Sequence, residues 1–108
     1  MTVNELYKRF SFESLCTPDS EREISGAYCG DLLSWVMGHA QSGDAWITIM
    51  SNINTVAVAS LADVSCIILA EGVKPESDVI KTAEEKGINI LSSSKSVYEI
   101  SVLLGSVL

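Results

Sequence analysis

The sequence predicts a single α/β domain, a mostly parallel β-sheet with βαβ crossovers and helices packed on both faces. Three observations carry this expectation. From Gly30 onward, segments of helical period alternate with short apolar runs to the end of the chain. The runs Ala45–Met50 and Ser65–Ala70 are apolar without strict alternation, as strands covered on both faces should be. The connections are short and carry turn chemistry, at Ser42-Gly43-Asp44, Glu71-Gly72 and Gly87. Strands joined through helices in this way lie parallel, with right-handed crossovers.

Residues 1–25 read as a less regular N-terminal extension and residues 26–108 as the core. Thr2–Phe10 places Val3, Leu6, Tyr7 and Phe10 at helical spacing. Phe12–Cys16 alternates weakly, as a strand does, and Thr17–Glu23 holds Pro18, Asp19 and Ser20, which favour turns. Ile24–Tyr28 reads as a second short strand. Asp31 is placed to cap a helix running to about Gln41, with Leu32, Leu33, Val36, Met37 and Ala40 on its inner face. After the strand Ala45–Met50, Asn52 or Asn54 opens a helix that turns Ile53, Ala57, Leu61 and Val64 inward. Beyond the strand Ser65–Ala70, Pro75 sits at a first helical position, with Glu76 and Asp78 at the positive end of the macrodipole. Val79, Ile80 and Ala83 form that helix's core face, Lys81 and Glu85 pair outside, and Gly87 follows the last turn. Ile88–Leu91 is a third core strand. Ser96 and Glu99 have capping-box spacing for a last helix, whose inner face carries Val97, Ile100, Leu104 and Val107.

Composition narrows the function. With 108 residues, 47% of them hydrophobic, the chain can bury roughly 60–70% of its unfolded surface without a disulfide or a metal. Seven Lys and Arg stand against 14 Asp and Glu, a net charge of −7. That balance argues against nucleic acid and against anionic membranes, both of which are held by basic faces. Cys16, Cys29 and Cys66 form no CxxC pair, and an odd number cannot pair completely. With no leader-like segment ahead of them, free thiols in a reducing cytoplasm are expected. No metal site is expected, because the one histidine, His39, has no partner at ligand spacing. The most apolar stretch, Thr55–Ala70, is interrupted by Asp63 and too short to span a bilayer.

From about Gly26 onward the chain resembles the DRTGG domain family. The resemblance is carried by Gly26-Ala27-Tyr28-Cys29-Gly30-Asp31-Leu32-Leu33-Ser34 and by Ala45-Trp46-Ile47-Thr48-Ile49. It continues in Ile67-Ile68-Leu69-Ala70-Glu71-Gly72 with Pro75 beyond, and in Gly87-Ile88-Asn89-Ile90-Leu91-Ser92. It implies a fold similar to the N-terminal domain of HPr kinase and a non-catalytic, often dimer-forming regulatory module. Such domains occur within CBS-domain pyrophosphatases and some phosphotransacetylases. They also stand alone in anaerobes, which implies an accessory role beside a protein partner in redox or carbon metabolism. The Asp-Arg portion of the family's name falls on Ser51-Asn52 and the Thr-Gly-Gly portion on Ala70-Glu71-Gly72, so Gly72 alone is retained.

No catalytic residue is expected. The chain lacks the GxxxxGK[ST] loop that cradles phosphates, so no kinase machinery accompanies the HPr kinase likeness. His39 lies mid-helix without a nucleophile elbow, and the carboxylates are scattered or sit at helix ends. Cys66 lies in an apolar strand, and Asp31 opposes activation of Cys29, so neither thiol is expected to react. No cofactor follows from the sequence.

Two candidate surfaces remain. In parallel sheets, ligands bind beyond the carboxyl ends of the strands. That edge gathers Ser51, Asn52 and Asn54, then Glu71 and Gly72, then Ser92, Ser93 and Ser94, polar groups that suit an adenine nucleotide or another small anion. The same residue types are also ordinary caps and turn formers. The second surface starts from Trp35, which points well away from its helix's inner stripe, with His39 one turn on and the small Ser34 and Gly38 on the same side. Val102 and Leu103 are a similar apolar surplus on the last helix. Such a patch predicts a symmetric homodimer, unless Tyr7 or Phe10 of the extension folds over Trp35.

Overall fold

The computed structural model describes residues 1–108. In chain order the elements are α1 (Val3–Phe10), β1 (Glu13–Cys16), β2 (Gly26–Cys29), α2 (Leu33–His39) and β3 (Asp44–Thr48). There follow α3 (Ile53–Ala62), β4 (Cys66–Leu69), α4 (Ser77–Lys86), β5 (Ile90–Ser92) and α5 (Val97–Gly105). The strands form one sheet in the order β1-β5-β4-β3-β2. β2, β3, β4 and β5 run parallel, and β1 closes one side antiparallel to β5. The predicted α/β class is the class observed.

Strand side chains alternate between faces, and each face has its own helices. Trp46, Ile67, Leu69 and Ile90 pack beneath α2, α3 and α4, against Val36, Val56, Ala59, Val79 and Ala83. Ala45, Ile47, Cys66, Ile68 and Leu91 face the other way, against Val3 and Leu6 of α1 and Ile100 and Leu104 of α5. This double cover is why β3 and β4 are buried throughout and read as unbroken apolar runs. The caps follow local chemistry. Thr2 with Glu5, and Ser96 with Glu99, form complete capping boxes. The Asn52 side chain accepts from the N–H groups of Asn54 and Thr55, and Gly87 ends α4 at φ +73°.

Several expectations are corrected. Asp31 does not cap α2. Its carboxylate instead accepts from the Thr48 hydroxyl at 2.8 Å and from Ile49 N–H at 3.1 Å, holding the end of β3. On α2 only Val36 is buried, while Leu32 and Met37 are exposed, because the helix lies beside the half-exposed edge strand β2. On α3 the buried residues are Thr55, Val56, Val58 and Ala59, and the expected Ile53 and Leu61 face out. That helix is apolar on almost every side, so its periodicity selects no face, and packing between α2 and α4 sets the rotation. α4 starts at Ser77 with Glu76 at the cap, which leaves Pro75 outside the helix. Lys81 and Glu85 form no ion pair. The N-terminal segment does not cover Trp35, since Tyr7 and Phe10 pack on the opposite layer.

Candidate functional site

The carboxyl ends of β3, β4 and β5 meet at one edge of the sheet, where α3, α4 and α5 begin. After β3, Thr48 Oγ1 accepts from Met50 N–H at 3.1 Å while donating to Asp31, so the approach to the Asn52 cap is fixed. Below that cap, the hydroxyl of Thr55 is buried and has no hydrogen-bond partner. It adjoins a cavity of about 10 Å³, the size of a single water, between Met50, Leu69 and Val79.

After β4 the chain turns through two left-handed residues, Glu71 at φ +60° and Gly72 at φ +70°. Glycine adopts this conformation without the steric penalty that a Cβ brings. Glu71 N–H donates to Lys95 O at 2.9 Å, and Gly72 N–H to Ser93 O at 2.8 Å. The turn is thereby strapped to the loop after β5, which Ser93 N–H anchors to Leu69 O at 2.9 Å. Between these loops and the end of α1 runs an open groove of about 450 Å³. Gly72, Lys74, Ser92, Ser93, Ser94 and Lys95 form one side of it, and Phe10, Ser11 and Glu13 the other. The Lys74 ammonium meets the Glu13 carboxylate, whereas Lys95 makes no ion pair.

Lys74 also borders a second groove of about 330 Å³, which holds Ser51 and Asn52 together with Glu76 and Asp78. The residues expected to share one ligand site are therefore divided. Gly72, Ser92, Ser93 and Ser94 lie in the groove with both lysines, and Ser51 and Asn52 lie beside carboxylates. Asn54 and Glu71 line neither groove. Sequence reading missed Glu13, Lys74 and Lys95. A lysine after β4 and another after β5, in a chain with few cations, were the available signal.

Trp35 is 57% exposed, and its ring stacks on His39 with centroids 4.1 Å apart. His39 Nδ1 lies 2.8 Å from Trp35 O, which fixes the imidazole beside the indole. Ser34 and Gly38 are exposed on the same short helix. Leu32 and Met37 are exposed as well, and on the adjoining α3 Leu61 is exposed while Ile53 borders the groove of Glu76 and Asp78. Neither α2 nor α3 contains Asp, Glu, Lys or Arg. The exposed Val102 and half-buried Leu103 lie on α5, in the other layer, so they belong to a different surface.

The remaining titratable groups serve the fold. The hydrogen bonds of the capping boxes hold the Glu5 and Glu99 carboxyls below their ordinary range. The Ser42 hydroxyl, and then the Arg22 guanidinium, do the same for Asp63. No three His, Cys, Asp or Glu side chains gather as a metal site. Burial, helped by the neighbouring Glu84, pushes the Cys16 thiol up to about 12, and burial alone pushes Cys66 up to about 12. Cys29 is exposed, with its sulfur 3.2 Å from Ser101 Oγ. At pH 8 both buried thiols stay protonated. An aromatic disulfide reagent is therefore expected to titrate one thiol per native chain and all three after denaturation. Reaction of Cys16 or Cys66 as fast as Cys29 in the native state would contradict this.

Fold and loops together define a small three-layer α/β domain with polar grooves at the carboxyl edge of its sheet. The chain belongs to the DRTGG domain family, which matches residues 14–107 and so takes in β1 as well as the parallel strands. It is similar in structure to the CBS and DRTGG domains of the regulatory region of Clostridium perfringens pyrophosphatase, solved in complex with its activator, diadenosine tetraphosphate. The TM-score is 0.75 at 15% sequence identity, over 95% of this chain and 45% of that one, so this chain spans less than half of that structure. No curated protein sequence matches the chain. No helix is long and apolar enough to cross a membrane.

Proposed function

We propose that this chain is a non-catalytic regulatory or protein-interaction module that acts as a homodimer through the outer face of α2 and α3. The observation that supports this reading is the uncharged face itself. Two copies each carrying −7 repel one another, and helices without Asp, Glu, Lys or Arg are where they meet at least electrostatic cost. Trp35 is suited to be the anchor, since a large amphipathic ring at the centre of a patch is a common hot spot. A reducing cytoplasm suits the three free cysteines.

Light scattering after size exclusion tests the reading. At tens of micromolar the wild type is expected at twice the chain mass of 11.6 kDa. Trp35→Ala is expected to weaken association by about thirtyfold, the effect of losing a hot spot of ~2 kcal/mol. Tyr98→Ala, an exposed aromatic on the other layer, should leave the dimer intact. A monomeric wild type, or a fully dimeric Trp35→Ala protein, would rule out this face.

A second reading is favoured by the groove that holds Lys74 and Lys95: a sensor of an adenine nucleotide or similar anion at the strand-end edge. A nucleotide at ~100 times its dissociation constant should stabilise the native state by about 2.7 kcal/mol. An unchanged melting temperature across a nucleotide panel would remove it.

A further inference from the structure

We propose that the groove between the loops after β4 and β5 takes a short phosphate chain on Lys74 and Lys95, and that Glu13 is a built-in competitor for it. This deepens the sensor reading and rests on it. The chain is acidic overall, yet this groove presents two ammonium groups and several serine hydroxyls. Lys95 makes no ion pair, and the nearby Glu99 carboxylate is engaged with Ser96 N–H at 3.0 Å. The Ser94 hydroxyl makes no hydrogen bond within the chain, so it is available to an anion. Phe10 is the one apolar residue of the lining, so there is little to recognise a greasy ligand. Ammonium groups on flexible stems act as point charges and suit tetrahedral phosphate oxygens. Two ammonium groups along one groove favour an anion that carries charge on more than one phosphate.

The competitor is visible in the free protein. Glu13, on the antiparallel edge strand, reaches across to Lys74, and both side chains are 55% exposed. An exposed ion pair of this kind contributes little to stability. It can therefore open without disturbing the fold, and an incoming phosphate takes the place of the carboxylate. Glu13 thus lowers affinity twice, by occupying Lys74 and by repelling the ligand, and both effects weaken in salt.

Calorimetric titration of the whole chain with pyrophosphate, tripolyphosphate, ADP and adenosine tests this, using Glu13→Gln, Lys95→Gln and Lys74→Gln. All three substitutions are at exposed positions, and urea midpoints check that the variants remain folded. The expected results are tighter tripolyphosphate binding in Glu13→Gln and weaker binding in each lysine variant, each by about two- to fivefold. Binding of pyrophosphate and ADP alike, with none of adenosine, identifies the phosphate chain as the recognised group. Tighter binding of ADP than of pyrophosphate would point to a nucleotide rather than a free phosphate chain as the natural source. No detectable tripolyphosphate binding by Glu13→Gln would overturn the proposal. Nucleotide stabilisation indifferent to all three variants would also overturn it, while leaving a sensor whose ligand sits on the Ser51–Asn52 side.

Discussion

Trp46→Ala is expected to remove about 4 kcal/mol or more of stability, out of roughly 5–15 kcal/mol for a domain of this size. Trp46 is completely buried at the centre of β3 and is the largest side chain beneath α2, α3 and α4. Its loss leaves a cavity that strands fixed by neighbours on both sides cannot collapse to fill. The substitution also removes a polar contact. The indole N–H donates to Gly30 O at 2.9 Å, tying β3 to the turn that leads into α2. Trp46→Phe separates the two effects, since it keeps most of the ring volume and loses the donor. Its cost is expected near ~2 kcal/mol, a reduced packing loss plus one unsatisfied carbonyl. Urea unfolding followed by far-ultraviolet circular dichroism measures both variants. Equal midpoints for Trp46→Ala and Trp46→Phe would show that ring volume is not what this position supplies.

Asn89→Ala should cost about 3 kcal/mol, much more than an ordinary turn-forming asparagine. Asn89 precedes β5 and is 2% exposed. Its side-chain carbonyl accepts from Asp19 N–H at 2.9 Å, and its amide donates to Asp19 O at 2.8 Å and to Ser65 O at 2.9 Å. One side chain therefore pins the segment before β2 to the amino-terminal ends of β4 and β5. Alanine leaves Asp19 N–H and Ser65 O without partners, while Asp19 O keeps the Arg22 N–H at 3.2 Å, and a buried group without a partner costs about 1–3 kcal/mol. Asn89→Asp sets a buried carboxylate against the Asp19 and Ser65 carbonyls, so at neutral pH it should cost at least as much as alanine, and less once acid protonates it and restores a donor. Hydrogen exchange gives the decisive local readout. Amides of residues 17–23 should lose protection in Asn89→Ala, by opening of that segment, before the core strands do. Loss of protection spread evenly over the sheet would contradict a local clamp.

These two residues also show what was legible in advance. Trp46 announced itself, because an aromatic within an unbroken β-prone run has few places to go except a doubly covered strand. Asn89 was visible as a polar residue in an apolar run, but its partners lie far away in the chain. Nothing local says that Asp19 and Ser65 arrive beside it.

The same division runs through the molecule. Local pattern alone carried the alternation of helices and strands, the capping box at Ser96, a helix start at Asn52 or Asn54 and the stop at Gly87. Each of these depends on residues a few positions apart, so each is written in the local pattern. Packing settles which side of α3 turns inward, since an almost uniformly apolar helix takes its rotation from its neighbours. Only the tertiary structure moved Asp31 from a cap to the end of β3, left Leu32 and Met37 exposed beside an edge strand, and split the polar strand-end residues between two grooves. Glu13 and Lys74 meet across 61 positions of chain. Such a pair has no signature in spacing or period, because it exists only after the packing of other residues has brought β1 alongside β5.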